Sequence, residues 1–195
     1  MTKARTPLRA LSELQLALDA RLERHPRYPD LRNLRGLART YAGDHEGAFA
    51  DFVEALHVHP HYEAALLNVA WLHAQRREAE QVRAILREPR GRRLSPPLRA
   101  HLLVLAAHAA GGAEPALQVL ETHATPQSEP ESPWLELDRL WLLWQLGRWD
   151  GVEPQVRRLV AWIPAIGPLL RTIGMVGTAA ERRAAFAGWG GCFLG

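Results

Sequence analysis

The chain has 195 residues, of which 47% are hydrophobic and 23% are charged, and its formal net charge is +3. This composition excludes a disordered tail, because enough apolar side chains are present to form a core. The small basic excess, carried almost wholly by arginine with Lys3 as the only lysine, argues against a nucleic-acid partner and is typical of a GC-rich bacterial genome.

Cysteine content and hydropathy indicate the compartment. Cys192 is the only cysteine, which excludes an internal disulfide and indicates either a reducing compartment or a protein indifferent to redox conditions. The N-terminal residues 1–24 mix charged residues into their leucines and do not read as a signal peptide. No stretch approaches the roughly 20 charge-free apolar residues of a membrane span. We therefore predict a cytoplasmic protein without a membrane segment.

The first elements predicted along the chain are a helix over residues 7–24 and a helical hairpin over residues 29–60. The first helix has its apolar residues at helical spacing and ends before Pro26 and Pro29. The hairpin turns at Gly43-Asp44, and the small residue Gly36 would let its two helices approach closely. The two apolar stripes of the hairpin are Leu31, Leu34, Leu37, Ala38 and Tyr41, then Ala48, Phe49, Phe52, Val53, Leu56 and Val58.

The same pattern recurs three times. The second hairpin turns at Arg76-Arg77 and is followed by a basic linker without apolar periodicity over residues 88–94. The third and fourth begin at Ser95-Pro96 and Ser132-Pro133, where serine can cap the helix and proline fits its first turn. Residues 124–132 read as a polar loop. After Pro164, residues 166–176 suggest a short helix and Thr178–Glu181 a capping box for another.

A period near 34 residues joins these hairpins. Prolines and turn residues mark it, with spacings of 34 and, at two steps, 36. A fixed period of this size is typical of stacked helical hairpins, each too small to bury its apolar face alone. The marks are Pro26, Pro60, Pro96, Pro130 and Pro164, and Gly43, Arg77, Gly111 and Gly147.

The best unit, residues 29–62, resembles the tetratricopeptide repeat family. Gly36, Ala48, Phe52, Ala55 and Pro60 stand where that family has its glycine, alanine, aromatic, alanine and proline. The resemblance implies an all-α fold, a right-handed α-solenoid of about four antiparallel helix-turn-helix hairpins with flanking N- and C-terminal helices. It also implies one domain over residues 1–195, with best-matched repeats at 27–123, a divergent repeat at 133–164 and a C-terminal capping segment at 165–195.

Proteins of this family bind partners in a concave groove lined by the first helix of each hairpin. The resemblance therefore implies a non-catalytic scaffold or adaptor that binds a peptide or protein, with Trp71 and Trp144 as anchors. The alternative is a self-assembling structural protein whose groove holds its own or another copy's helix. The implied lining is Asn33, Leu37, Thr40, Tyr41, Leu67, Asn68, Trp71, Ala74, Gln75, His101, Leu105, His108, Ala109, Leu137, Trp141, Trp144 and Gln145.

Other interpretations of these residues stay open at this point. Each apolar residue of the lining is equally well explained as core. His57, His59 and His61 alternate, a spacing that scatters imidazoles over a helix and disfavours a zinc site. The arginines near the second linker suit either an anionic segment or a solvated surface. No catalytic motif is present, so we expect no catalytic residue, metal or cofactor.

Overall fold

The computed structural model describes residues 7–123 and 132–162, and every regular element in these two ranges is an α-helix. An all-α fold is therefore confirmed. The helices described there are α1 Pro7–Arg24, α2 Pro29–Tyr41, α3 His45–Val58, α4 Glu63–Gln75, α5 Ala79–Arg87, α6 Pro89–Arg92, α7 Pro96–Gly111, α8 Ala113–His123, α9 Pro133–Gln145 and α10 Trp149–Trp162.

Contacts divide the chain into two compact units, Met1–Leu94 and Ser95–Gly195. The division falls at the end of the basic linker predicted over residues 88–94. Within the first unit, each of the helices α1 to α6 packs on the next. Within the second, α7 packs on α8 and α9, α8 on α9, and α9 on α10. A single domain over residues 1–195 and a right-handed superhelix remain predictions.

The α2–α3 hairpin turns where the sequence predicts. Gly43 takes a left-handed φ of 83° after the end of α2. Asp44 then caps α3, because its carboxylate accepts a hydrogen bond from the Gly47 N–H at 2.9 Å. The helices approach so closely that a Cβ on Gly36 would overlap the buried ring of Phe52. The need for a small residue at position 36 is confirmed.

A left-handed residue follows the first helix of every described hairpin. These residues are Gly43 (φ 83°), Arg77 (φ 61°), Gly112 (φ 87°) and Gly147 (φ 65°), spaced by 34, 35 and 35 residues. The period predicted from the sequence is therefore confirmed. The third mark lies at Gly112 and not at Gly111, which is still helical as the last residue of α7.

The same hydrogen bond closes three of these turns. A backbone N–H one residue beyond the left-handed residue donates to a carbonyl in the last turn of the helix, at 2.9 Å in each case. This is the bond that satisfies an orphan carbonyl in a Schellman motif. The donor and acceptor residues are Asp44 and Arg39, Glu78 and His73, and Arg148 and Leu143.

The basic linker contains a short helix. Pro89 separates two helices as expected, and α5 ends at Arg87. Within the predicted linker, Pro89–Arg92 form the short helix α6, with proline in its first turn. Proline fits there because the N–H it lacks has no partner in the first turn of a helix.

The second unit contains two apolar clusters. The predicted positions of Pro96 and Pro133 in the first turns of α7 and α9 are confirmed. The predicted serine caps are wrong, because neither Ser95 nor Ser132 makes a side-chain capping bond. The buried residues of the clusters are Ala100, Val104, Ala116, Leu117, Leu120, Leu135 and Leu142, and Leu140, Trp144, Val152, Val156 and Leu159.

Several predicted segments lie outside the described residues. They are most of the polar loop 124–132, the short helix of 166–176, the capping box Thr178–Glu181, and the rest of the capping segment with Cys192.

Arg77 is a non-glycine residue in a backbone region that favours glycine. We expect Arg77→Gly to raise the free energy of unfolding by about 0.5–1 kcal/mol, because the Cβ clash is removed while some unfolded-chain entropy is added. Gly147→Ala serves as the reverse control, with an expected loss of about 1 kcal/mol. Urea denaturation of both variants tests this, and a loss of stability in Arg77→Gly would contradict the role of the left-handed turn.

Candidate binding face

Helix α2 turns its large apolar side chains outward and its arginines inward. Leu34 is 50% exposed and Tyr41 79% exposed, whereas the Arg35 side chain retains only 18% of its surface. The predicted packing stripe of α2 is therefore wrong at Leu34 and Tyr41. The helix instead buries Asn33, Gly36 and Ala38.

Asp51 on α3 explains this inverted orientation. Its carboxylate is 3% exposed and accepts hydrogen bonds from Arg35, Nε at 2.9 Å and Nη2 at 2.5 Å, and from Arg39 Nη1 at 2.9 Å. Arg35 also donates to Asp19 on α1 at 2.6 Å. These bonds, led by the one to Asp51, raise the pKa of Arg35. Because a buried carboxylate needs paired cations, α2 must direct its arginines toward α3.

The outward side of α2 forms a continuous apolar strip, which we call the α2 face: Leu34, Leu37 and Tyr41. These residues are three and four positions apart, so they lie on one side of the helix. Leu37 is half-buried and the other two are exposed. The family resemblance assigns Leu37 and Tyr41 to the groove but omits Leu34. Leu34 precedes them by three and seven residues, a spacing that places it on the same side of the helix and could have identified it.

A hydrogen bond between two side-chain amides joins α4 to α2. Asn68 Nδ2 donates to Asn33 Oδ1 at 2.8 Å, so two predicted groove residues bond to each other across the helices. Trp71 and Gln75, three and seven residues after Asn68, are half-buried on the same side of α4. Leu67 is 7% exposed and belongs to the core.

Exposed apolar surface is concentrated in the first unit. Across residues 12–123, 132, and 135–161, whose side chains the structure describes, every exposed large hydrophobic residue lies between positions 14 and 58. Exposed apolar side chains that share one side of a helix mark interaction sites, and Leu34 and Tyr41 do so on α2. The exposed large hydrophobic residues are Leu14, Leu16, Tyr28, Leu34, Tyr41 and Val58.

The predicted groove residues of the second unit contact one another or lie in the core. Leu105 is 1% and Trp144 7% exposed, and Trp144 packs in the cluster between α9 and α10. His108 Nε2 and Gln145 Oε1 are 2.9 Å apart, and the His108 ring lies 4.4 Å from that of Trp141. These side chains therefore hold α9 beside α7.

A buried histidine–carboxylate pair continues this row. His101 Nδ1 on α7 lies 2.7 Å from Asp138 Oδ2 on α9, and the two side chains are 12% and 8% exposed. Burial raises the pKa of Asp138, and the hydrogen bond to His101 opposes that rise. The pair fixes the register between α7 and α9, because each side chain would lose its buried partner if one helix slid along the other.

The alternating histidines do not form a cluster. His57 Nδ1 lies 3.5 Å from Glu54 Oε2, and the His59 ring meets Tyr62 edge-on at 6.0 Å. Within the part of the chain that the structure describes, no three histidine, cysteine, aspartate or glutamate side chains are grouped as metal ligands would be.

A small cleft of about 210 Å³ lies between α3, α4 and α5. Its lining mixes apolar and polar side chains and includes Phe49, which makes an edge contact with His73 at 5.3 Å. Titratable groups of its lining are paired within the chain: His73 with Glu78 at 2.6 Å, and Arg90 with Glu88 at 2.5 Å. The cleft therefore offers no uncompensated charge to a ligand.

Comparison with protein-family models, with curated proteins and with solved structures finds no match to this chain. The tetratricopeptide resemblance thus continues to rest on the residues quoted for it. No described helix has the length and apolar character needed to cross a lipid bilayer.

Removing the buried charge at position 51 should destabilise the first unit. We expect Asp51→Asn to lower the free energy of unfolding by about 2–3 kcal/mol, because Arg39 would lose its shortest ion pair and Arg35 would keep only its contact with the partly exposed Asp19. Glu46→Gln is the matched control: Glu46 is 86% exposed and pairs with Arg76, so its loss should cost less than about 0.5 kcal/mol. Equal effects of the two substitutions in urea denaturation would contradict the proposed constraint.

Asp138 should make stability depend on pH in a defined direction. Since its pKa is raised on folding, the folded state binds the proton more tightly than the unfolded state. The contribution of Asp138 to stability is therefore lost as pH rises from its ordinary value of 3.8 through the folded pKa. We expect Asp138→Asn to gain stability relative to wild type across this window, measured by denaturation at a series of pH values.

The control for this experiment is Glu121→Gln, since Glu121 is an exposed carboxylate on α8. Its difference from wild type should stay flat over the same pH range. A stability difference for Asp138→Asn that shrinks with rising pH would show that the ion pair with His101 outweighs the cost of burial.

Proposed function

We propose that this chain is a non-catalytic interaction module that binds a protein or peptide segment on the α2 face. Asn68, Trp71 and Gln75 of α4 would extend the contact surface. The observation that carries the proposal is the outward orientation of Leu34 and Tyr41 on a helix whose arginines are turned inward. The resemblance to tetratricopeptide repeats, in which this helix row binds partners, supports it.

Physical chemistry favours a binding role for this face over a purely structural one. Aromatic and aliphatic side chains that are fixed on a rigid helix lose little entropy when a partner covers them. The ion pairs of Asp51 hold α2 in one orientation, so the face exists before any partner arrives. Tyrosine is among the residues that dominate binding energy at interfaces.

Polar substitution on the α2 face should remove binding and spare folding. We expect the double variant Leu34→Gln/Tyr41→Gln to lose the partners captured from the native host, with a change in the free energy of unfolding below about 0.5 kcal/mol per site. The control is Leu16→Gln, which alters a leucine that is 69% exposed on α1. Proteins retained by the control and lost by the double variant bind the α2 face.

The same variants distinguish a foreign partner from a second copy of this chain. Light scattering across a concentration series would detect self-association in the wild type. An oligomer that the double variant converts to monomer would assign the α2 face to self-assembly. Unchanged capture together with a stability loss above about 2 kcal/mol would overturn the proposal and make Leu34 and Tyr41 structural residues.

A further inference from the structure

The positive charge of the chain is concentrated in one short segment. Residues 76–93 contain seven arginines and three glutamates, an excess of four, which is more than the net charge of +3 for the whole chain. The remainder of the chain is therefore slightly acidic. This segment forms α5, α6 and the turns around them. The concentration of charge gives this part of the first unit an electrostatic character that the α2 face lacks.

Two of these arginines pair with one carboxylate, and a third is held at the end of the same helix. Arg83 donates to Glu80 Oε1, and Arg87 Nη2 lies 3.6 Å from Glu80 Oε2. Arg92 Nε donates to the Arg87 carbonyl at 2.9 Å, which holds its guanidinium at the end of α5. The side chains of Arg83 and Arg87 keep 44% and 66% of their surface, and Glu80 keeps 69%. The group is thus open to solvent.

We propose that Arg83, Arg87 and Arg92, the arginine face, form a docking surface for an acidic segment of a partner protein. Glu80 shows how a carboxylate is held there, and it occupies the position that a partner's carboxylate would take. Ion pairs between exposed side chains are weak and exchange readily, so Glu80 can be displaced. The arginine face is separate from the α2 face and extends the proposed function to a second surface.

The surroundings favour carboxylates of a peptide over the phosphates of a nucleic acid. Glu78 and Glu88 lie at the two ends of α5 and flank Arg83 and Arg87. A nucleic acid presents an uninterrupted row of phosphates, and flanking glutamates would repel it. An acidic peptide carries discrete carboxylates, which bind arginine in bidentate pairs and leave gaps between them. Charge complementarity therefore assigns the surface to an acidic peptide.

Binding of a fluorescently labelled oligoglutamate peptide, measured by anisotropy at low salt, tests the assignment. We expect Arg83→Gln/Arg87→Gln to weaken binding about tenfold, as the loss of two exposed charge-assisted contacts implies. The control is Arg157→Gln/Arg158→Gln on α10, which removes the same charge from arginines that are 78% and 59% exposed. The control and the Leu34→Gln/Tyr41→Gln variant should bind as the wild type does.

The sharper test is a gain of affinity. Glu80→Gln removes the internal carboxylate and should strengthen binding several-fold, whereas Glu121→Gln, with the same change of charge, should have at most a small effect. The proposal would be overturned if the two double arginine variants lost equal affinity for the peptide, or if the two glutamate variants gained equal affinity. Either result would mean that binding follows net charge alone. Tighter binding of a single-stranded oligonucleotide through the same arginines would also overturn it.

Discussion

The buried carboxylate of Asp51 fixes the geometry on which the first unit depends. A carboxylate with 3% exposure is stable only with paired cations, and both of its partners, Arg35 and Arg39, come from α2. Their spacing of one helical turn sets the rotation of α2 about its own axis. Arg35 reaches Asp19 as well, so the same charge joins α1 to the hairpin. The outward position of the α2 face is a consequence of this pairing, because the opposite side of the helix is occupied by ionic contacts.

The second unit joins its helices through different polar pairs and through two apolar clusters. Its helices α7 and α9 are joined by two contacts between partly buried side chains, His101 with Asp138 and His108 with Gln145. Trp144 fills the space between α9 and α10. Within residues 95–123, 132 and 135–161, no large apolar side chain is exposed. The first unit, in contrast, exposes six of them. This contrast favours α2 and α4 over the tryptophans of α9 as the place of the proposed binding function.

The sequence predicts most helices and turns because glycine, proline and the helical period act locally. Gly111 and Gly112 show the limit: either of two adjacent glycines can end a helix, and only the backbone shows that the second does. The rotation of α2 about its axis cannot be predicted from the apolar pattern alone, because that pattern assigns Leu34 to the core and Arg35 to the surface. A signal was present, since Asp51 stands among Ala48, Phe52 and Ala55 on the buried side of α3. Trp144 is buried because it packs against Val152, Val156 and Leu159 of α10. The spacing of apolar residues within α9 does not show which helix will cover it.

Arginine has opposite roles in two parts of the same unit, and exposure separates them. Arg35 and Arg39 pair with a carboxylate that water cannot reach, so breaking the pair would strand a buried charge and the contact is structural. Arg83 and Arg87 pair with a glutamate that is 69% exposed, so water or another carboxylate can replace it with little change in free energy. Apolar contact supplies most binding energy, and complementary charge mainly speeds and orients association. A unit that displays both an apolar helix face and an exchangeable cationic one is therefore equipped to orient a partner as well as to hold it.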